Sequence, residues 1–134
     1  MEELFNKLLL KLGQKIQKIL KKFRALLIIE PRCAPLQLKE NGLKILKITR
    51  KKFIYLISPN KITSNFYQQL NLVLKTGKVS FFQMRFKKYS SKKKYLIGTK
   101  IKKICKRNKV KFLVNDEPKL AKKLNADGCH LGQK

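Results

Sequence analysis

The feature that most constrains this chain is a regular alternation that begins at Phe53. Short apolar runs of strand character trade places with amphipathic helical stretches, joined by only a few residues. Phe53 to Ser58 (FIYLIS) is almost wholly apolar and is closed by Pro59, as expected of a strand buried on both faces. Ser64 is placed to cap a helix whose Phe66, Leu70, Val73 and Leu74 share a face, and Gly77 stands where that helix should stop. Val79 to Met84 (VSFFQM) reads as the second strand. Ser90 or Ser91 opens a Lys-rich helix with Tyr95, Ile97, Ile101, Ile104 and Cys105 inward, and Val110 to Val114 (VKFLV) reads as the third strand. Pro118 suits the first turn of a further helix that buries Leu120, Ala121 and Leu124, and Asp127 to Leu131 (DGCHL) is a short fourth strand. Strands joined in this way run parallel with right-handed crossovers. The fold class is therefore α/β, either a doubly wound sheet or part of a (β/α)8 barrel. Neither Gly-x-Gly-x-x-Gly nor Gly-x-x-x-x-Gly-Lys follows the first strand, which counts against the common nucleotide folds.

Upstream the character is different. Residues 1–28 read as a basic amphipathic helix: Phe5, Leu8, Leu9, Leu12, Ile16, Ile19, Leu20, Phe23 and Leu27 form one stripe, and Lys7, Lys11, Lys15, Lys18 and Lys22 take the opposite face. Such a helix could lie on an anionic membrane surface, or the stripe could pack against the rest of the protein or a second copy. Residues 29–52 contain Pro31, Pro35 and Gly42 and read as a connector. The alternating region, 53–134, forms the remaining unit.

The chain carries 34 Lys and Arg against 7 Asp and Glu over 134 residues, a formal net charge of +27. Only five of the cations are Arg, and they are spread along the whole chain. Nucleic-acid readers lean on the planar guanidinium fork, so nucleic acid is not the expected partner and the Lys excess reads as background. The acids then become the informative residues. Three cysteines, Cys33, Cys105 and Cys129, form no C-x-x-C pair and leave one over, which fits a reducing, cytoplasmic setting better than a disulfide framework. No apolar run approaches the roughly 20 residues needed to span a bilayer.

In a parallel sheet the chemistry gathers at the C-terminal ends of the strands. After the second strand, alternation sends Gln83, Arg85 and Lys87 to one side, and an amide, a guanidinium and an ammonium together suit a diphosphate. After the third strand come Asn115 and Asp116. Asp116 suits Mg²⁺, which takes one or two carboxylates plus substrate phosphates, or it could cap the helix that starts at Pro118. After the fourth strand stands His130, which without a carboxylate partner in sequence reads better as a hydrogen-bonded core residue than as a base or metal ligand.

Four segments taken together, Gln83-Met84-Arg85-Phe86-Lys87, Val114-Asn115-Asp116, Lys119-Leu120-Ala121 and Ala126-Asp127-Gly128-Cys129-His130-Leu131-Gly132-Gln133, resemble the thiamine-phosphate synthase family in order and spacing. Phe53 to Ser58 looks like that family's first strand. The last segment favours the synthase over its thiazole-tautomerase sibling. The resemblance implies a TIM barrel, of which residues 53–134 would supply about the first four strands. It also implies a transferase reaction of thiamine biosynthesis. The aminopyrimidine methyl diphosphate loses pyrophosphate, and the nitrogen of a thiazole phosphate attacks the cationic carbon left behind. By the same resemblance Gln83, Arg85, Lys87 and Asn115 would bind the pyrimidine diphosphate and Asp116 would bind Mg²⁺. Glu117 stands where the family often has Arg or Asp.

A complete barrel takes roughly 200 residues or more, and residues 53–134 number only 82. The expectation is a truncated chain, inactive alone, with strand edges and apolar surface that invite self-association or completion by another chain. The competing class is a non-enzymatic basic protein that binds anionic membrane or nucleic acid through its first helix and its Lys-rich surface.

Overall fold

The computed structural model of the chain describes residues 2–10, 13–29 and 52–132. In chain order these form α1 (Glu2–Leu10), α2 (Gln14–Leu20), β1 (Arg24–Ile29), β2 (Lys52–Ile57), α3 (Phe66–Leu74), β3 (Val79–Met84), α4 (Ser91–Arg107), β4 (Lys111–Asn115), α5 (Pro118–Leu124) and β5 (Gly128–His130). The alternation expected from Phe53 onward is present, with strand limits shifted by a residue or two. Pro118 opens α5, and Ser90 rather than Ser91 caps α4 by accepting from the Lys93 N–H. Asn65, not Ser64, occupies the N-cap of α3, and its side chain makes no capping bond there. Gly77 follows α3 with φ +69°, a left-handed conformation that ends a helix cheaply only without a Cβ.

One sheet holds all five strands in the order β1-β2-β3-β4-β5. The pairs β2/β3, β3/β4 and β4/β5 are parallel, and β1 is antiparallel to β2. The parallel strands follow one another in sequence order. With right-handed crossovers that never change direction, α3, α4 and α5 fall on the same face of the sheet. This is how a (β/α)8 barrel winds; a doubly wound sheet reverses direction at a switch point.

Burial follows the winding. Ile54, Leu56, Phe82, Met84, Phe112 and Val114 point under the helices and are all at most 2% exposed. Leu56, Phe82 and Phe112 lie in register across three strands, so they form one row of the core. Phe66, Leu70, Val73, Ile101, Cys105 and Leu124 cover that row from the helices. At Gly98 a Cβ would lie 2.5 Å from Leu124 Cδ1, so the missing side chain lets α4 and α5 approach. The alternate residues Tyr55, Ile57, Phe81, Leu113 and Asn115 face the other way and are only half-buried. That second face is the one a barrel would enclose.

The N-terminal reading requires correction. The single helix expected over residues 1–28 is two short helices followed by a strand, with Gly13 at the N-cap of α2 and a turn at Lys21–Lys22. A glycine in the middle of the stripe favours interruption, and Ala25 to Ile29 supply the β-branched and apolar character a strand edge accepts. Ile19, Leu20 and Phe23 are buried in the main core, with the Phe23 ring stacked on Phe66 at 5.7 Å and edge-on to Phe82 at 6.4 Å. Of the two uses considered for the stripe, these positions take packing against the protein. No helix among the described residues is long and apolar enough to cross a membrane. Of the expected connector, residues 30–51 lie outside the described residues, while Ile29 and Lys52 belong to strands.

Candidate functional site

Two polar side chains are fully buried among the described residues, Ser58 at 1% and Gln83 at 2% exposure, and both belong to the C-terminal ends of neighbouring parallel strands. Burying a hydroxyl or an amide costs free energy unless it is hydrogen-bonded, so each is a clue to what the sheet end is built to hold. Ser58 ties β2 to β3: its N–H donates to the Gln83 carbonyl at 2.9 Å, and its Oγ accepts from the Arg85 N–H at 2.8 Å. It therefore sets the chain direction just where Arg85 leaves the strand.

Gln83 lies inside a run of side-chain hydrogen bonds that climbs diagonally across the open face. The Tyr55 O–H donates to Gln83 Oε1 at 2.8 Å. Gln83 Nε2 donates to Asn115 Oδ1 in a short bond, and Asn115 Nδ2 donates to Asp116 Oδ2 at 2.7 Å. The backbone N–H of Gly132 closes the run on Asp116 Oδ1 at 2.8 Å. In register Tyr55 faces Phe81, and Gln83 faces Leu113. The Tyr55–Gln83 and Gln83–Asn115 bonds thus each step two residues toward the strand ends as they move one strand across, the stagger of tilted strands. Burial pushes the Tyr55 phenol up, so it stays protonated and donates.

Asp116 sits just past β4 in the left-handed region, φ 56°, which Asp tolerates better than most residues. Its own N–H donates to the His130 carbonyl at 2.8 Å, locking the turn to β5. The Gly132 N–H, with help from Asn115 and the positive surroundings of His130 and Lys87, holds its carboxyl below the usual carboxylate range. The alternative of a helix cap is set aside by geometry: Glu117 occupies the N-cap of α5, and the Asp116 oxygens are turned to Asn115 and Gly132.

These groups line a pocket of about 550 Å³ formed by Arg24, Tyr55, Ile57, Gln83, Arg85, Asn115, Asp116, His130 and Gly132. Of the residues singled out from sequence, Gln83, Arg85, Asn115 and Asp116 are brought together here. Lys87 lies beyond the end of β3, exposed, outside the pocket lining but near enough to act on Asp116. His130 is exposed at the rim and is not a buried core residue, because among the described residues β5 is a three-residue edge strand paired with β4 alone. Arg24, Tyr55 and Ser58 were not expected. Alternation within FIYLIS could have flagged Tyr55 and the closing Ser58, whereas nothing local marks Arg24. A larger cleft of about 790 Å³ lies between α4 and α5 beside Glu117, whose carboxylate is taken up by Lys94 in a short ion pair.

Among the described residues no three His, Cys, Asp or Glu side chains gather as a self-sufficient metal cage. A carboxylate held below its usual range, in a pocket it shares with guanidinium groups that have no ion pair among the described residues, is a different donor set. It suits a hard cation that completes its shell with phosphate oxygens and water.

Residues 54–134 match the family described as thiamine monophosphate synthase. The chain is 68% identical over 85 residues to a thiamine-phosphate synthase of Pelagibacter ubique (strain HTCC1062), covering 63% of this chain and 41% of that protein. It is 40% identical over 82 residues to the thiamine-phosphate synthase of Campylobacter jejuni (serotype O:23/36, strain 81-176), covering 60% and 39%. With the enzyme of that name from Erythrobacter litoralis (strain HTCC2594) the identity is also 40% over 82 residues, covering 60% and 38%. The chain spans about two fifths of the length of these curated relatives.

Proposed function

The chain belongs to the thiamine monophosphate synthase family, and from that premise we propose that the open face of β2–β5 is the pyrimidine-diphosphate half of a thiamine-phosphate synthase site on a segment of a (β/α)8 barrel. The observation that carries this reading is the hydrogen-bonded run Tyr55–Gln83–Asn115–Asp116–Gly132. It fixes a carboxylate in the same pocket as Arg85, within the matched residues.

In the proposed reaction, the bond between the methylene carbon and the diphosphate oxygen breaks, and the electron pair leaves with pyrophosphate. The nitrogen of a thiazole phosphate then bonds to the cationic carbon. Charge builds on the departing diphosphate, so fixed cations aimed at it stabilise the transition state more than the ground state. Arg85 gives bidentate contacts and Lys87 a point charge at the rim. Gln83, buried and held at both ends, orients Asn115 toward the ligand. Asp116 would hold Mg²⁺, which when bound neutralises diphosphate oxygens and strengthens the leaving group. The reading places the protein in the cytoplasm. No described residue is assigned to the thiazole phosphate.

Calorimetric titration of the 134-residue chain with the aminopyrimidine methyl diphosphate tests this. Binding should require Mg²⁺ and should be lost on Asp116→Asn and weakened at least tenfold on Arg85→Gln. Binding that ignores Mg²⁺ and survives both substitutions would instead favour a non-enzymatic basic surface, whose affinity falls steeply with salt.

A further inference from the structure

The family match begins at residue 54, yet the pocket contains a cation from well before it. Antiparallel pairing explains how. β1 runs against β2 with Arg24 opposite Ile57 and Ile29 opposite Lys52, so the first residue of β1 arrives at the C-terminal end of β2, beside Ser58 and Gln83. A parallel β1 would have put Arg24 at the far end of the sheet. Its neighbour Phe23 is 4% exposed and wedged between Phe66 and Phe82, which anchors the chain one residue before the guanidinium.

Arg24 is exposed, and its side chain has no ion pair or hydrogen bond among the described residues. The half-buried side chain of Arg85, on the other side of β2, likewise has no ion pair or hydrogen bond among the described residues. β1 and β3 flank β2, so the two backbones are roughly 10 Å apart at a strand spacing of about 4.8 Å. Long guanidinium side chains reach inward across that gap to one phosphorylated group. The pocket's single carboxylate, Asp116, already accepts from Gly132 and Asn115. Two guanidiniums without a partner among the described residues share the pocket with one occupied carboxylate, which leaves a net demand for an anion.

We propose that Arg24 is a second diphosphate-binding residue, delivered to the site by the antiparallel strand β1, and clamps the ligand from the side opposite Arg85. This rests on the functional reading above and extends it to a part of the chain outside the family match. A guanidinium fork makes charge-assisted bidentate contacts, so its loss should cost about tenfold or more in affinity.

The test is calorimetric titration of the full 134-residue chain with inorganic pyrophosphate in Mg²⁺, at fixed salt. Arg24→Gln should weaken binding about tenfold, and Arg24→Lys should restore only part of it. Lys78→Gln, the same charge change at the opposite end of β3, should stay within about twofold and so reports the general effect of net charge. If Arg24→Gln and Lys78→Gln behave alike while Arg85→Gln loses affinity, the Arg24 clamp is wrong and the functional reading stands. If all three behave alike, or the unaltered chain does not bind, both fail. Equal urea midpoints for the Arg24 variants and the parent exclude a folding defect as the cause.

Discussion

Removing the Tyr55 hydroxyl is the sharpest perturbation of the hydrogen-bonded run, because it deletes one oxygen and leaves the ring stacked on Phe81 at 5.9 Å. In Tyr55→Phe the Gln83 Oε1 loses its donor while Gln83 stays 2% exposed. No buried side-chain nitrogen or oxygen among the described residues is without a partner, so the substitution would create the first. An unsatisfied buried acceptor costs about 1–3 kcal/mol, and with one wall of the pocket open to water the expected cost is about 1.5 kcal/mol. In a Gln83→Leu background the same substitution removes a hydroxyl that water already satisfies, and it should cost under about 0.5 kcal/mol. The coupling between the two positions is therefore about 1 kcal/mol, within the range found for residues in direct contact. Urea denaturation of the four proteins measures it. At a slope of about 2 kcal/mol/M, Tyr55→Phe should move the midpoint by about 0.75 M in the parent and by under about 0.25 M in the Leu background, with slopes unchanged. Equal shifts in both backgrounds would show that the Tyr55–Gln83 bond contributes nothing to stability.

Three further outcomes follow from the same structure. Phe23→Ala should cost about 3–5 kcal/mol by urea denaturation, because the ring is buried between Phe66 and Phe82; a loss under about 1 kcal/mol would mean that α2 and β1 are not part of the core. Burial pushes the Cys105 thiol up to about 12, so at pH 8 iodoacetamide should spare it in the native chain and label it after unfolding, as read by peptide mass spectrometry. The Asp127 carboxyl is held below its usual value by the Phe112 N–H at 2.9 Å and by Lys111 at 3.2 Å. A depressed carboxyl stabilises the fold above its unfolded pKa of about 3.9 and loses that contribution as pH falls through the lower folded value. Asp127→Asn should therefore lower the urea midpoint at pH 7, and the gap to the parent should narrow at pH 3. A constant gap would contradict the assignment.

Much of the site was legible because it depends on local rules. Period-two alternation puts Gln83 and Arg85 on one side of the strand, and a strand end in a parallel sheet is where polar groups collect. Asn115 and Asp116 follow from the same reasoning one strand later. The two uses left open for Asp116 could not be separated in that way, since a cap and a metal ligand both want an acid before Pro118. The structure removes the cap, since Glu117 occupies the N-cap of α5 and the Asp116 oxygens accept from Asn115 and Gly132. His130 was misjudged because whether an edge strand is covered is a matter of neighbours, and β5 pairs with β4 alone among the described residues.

By itself the sequence determined the α/β class, the order of strands and helices after residue 52, the buried faces of those helices, and the cations and acid at the strand ends. All of these are set by periodicity and turn chemistry within a few residues. Only the tertiary structure decided that the strands wind in one direction, since crossover direction is a property of the whole sheet. It alone showed that an apparent N-terminal helix ends at Leu20 and continues as a strand, because pairing with β2 overrides a helical pattern that local propensity only weakly supports. That antiparallel pairing carries Arg24 to the same pocket as Gln83, Arg85, Asn115 and Asp116, a juxtaposition created by strand pairing that sets Arg24 opposite Ile57, far along the chain.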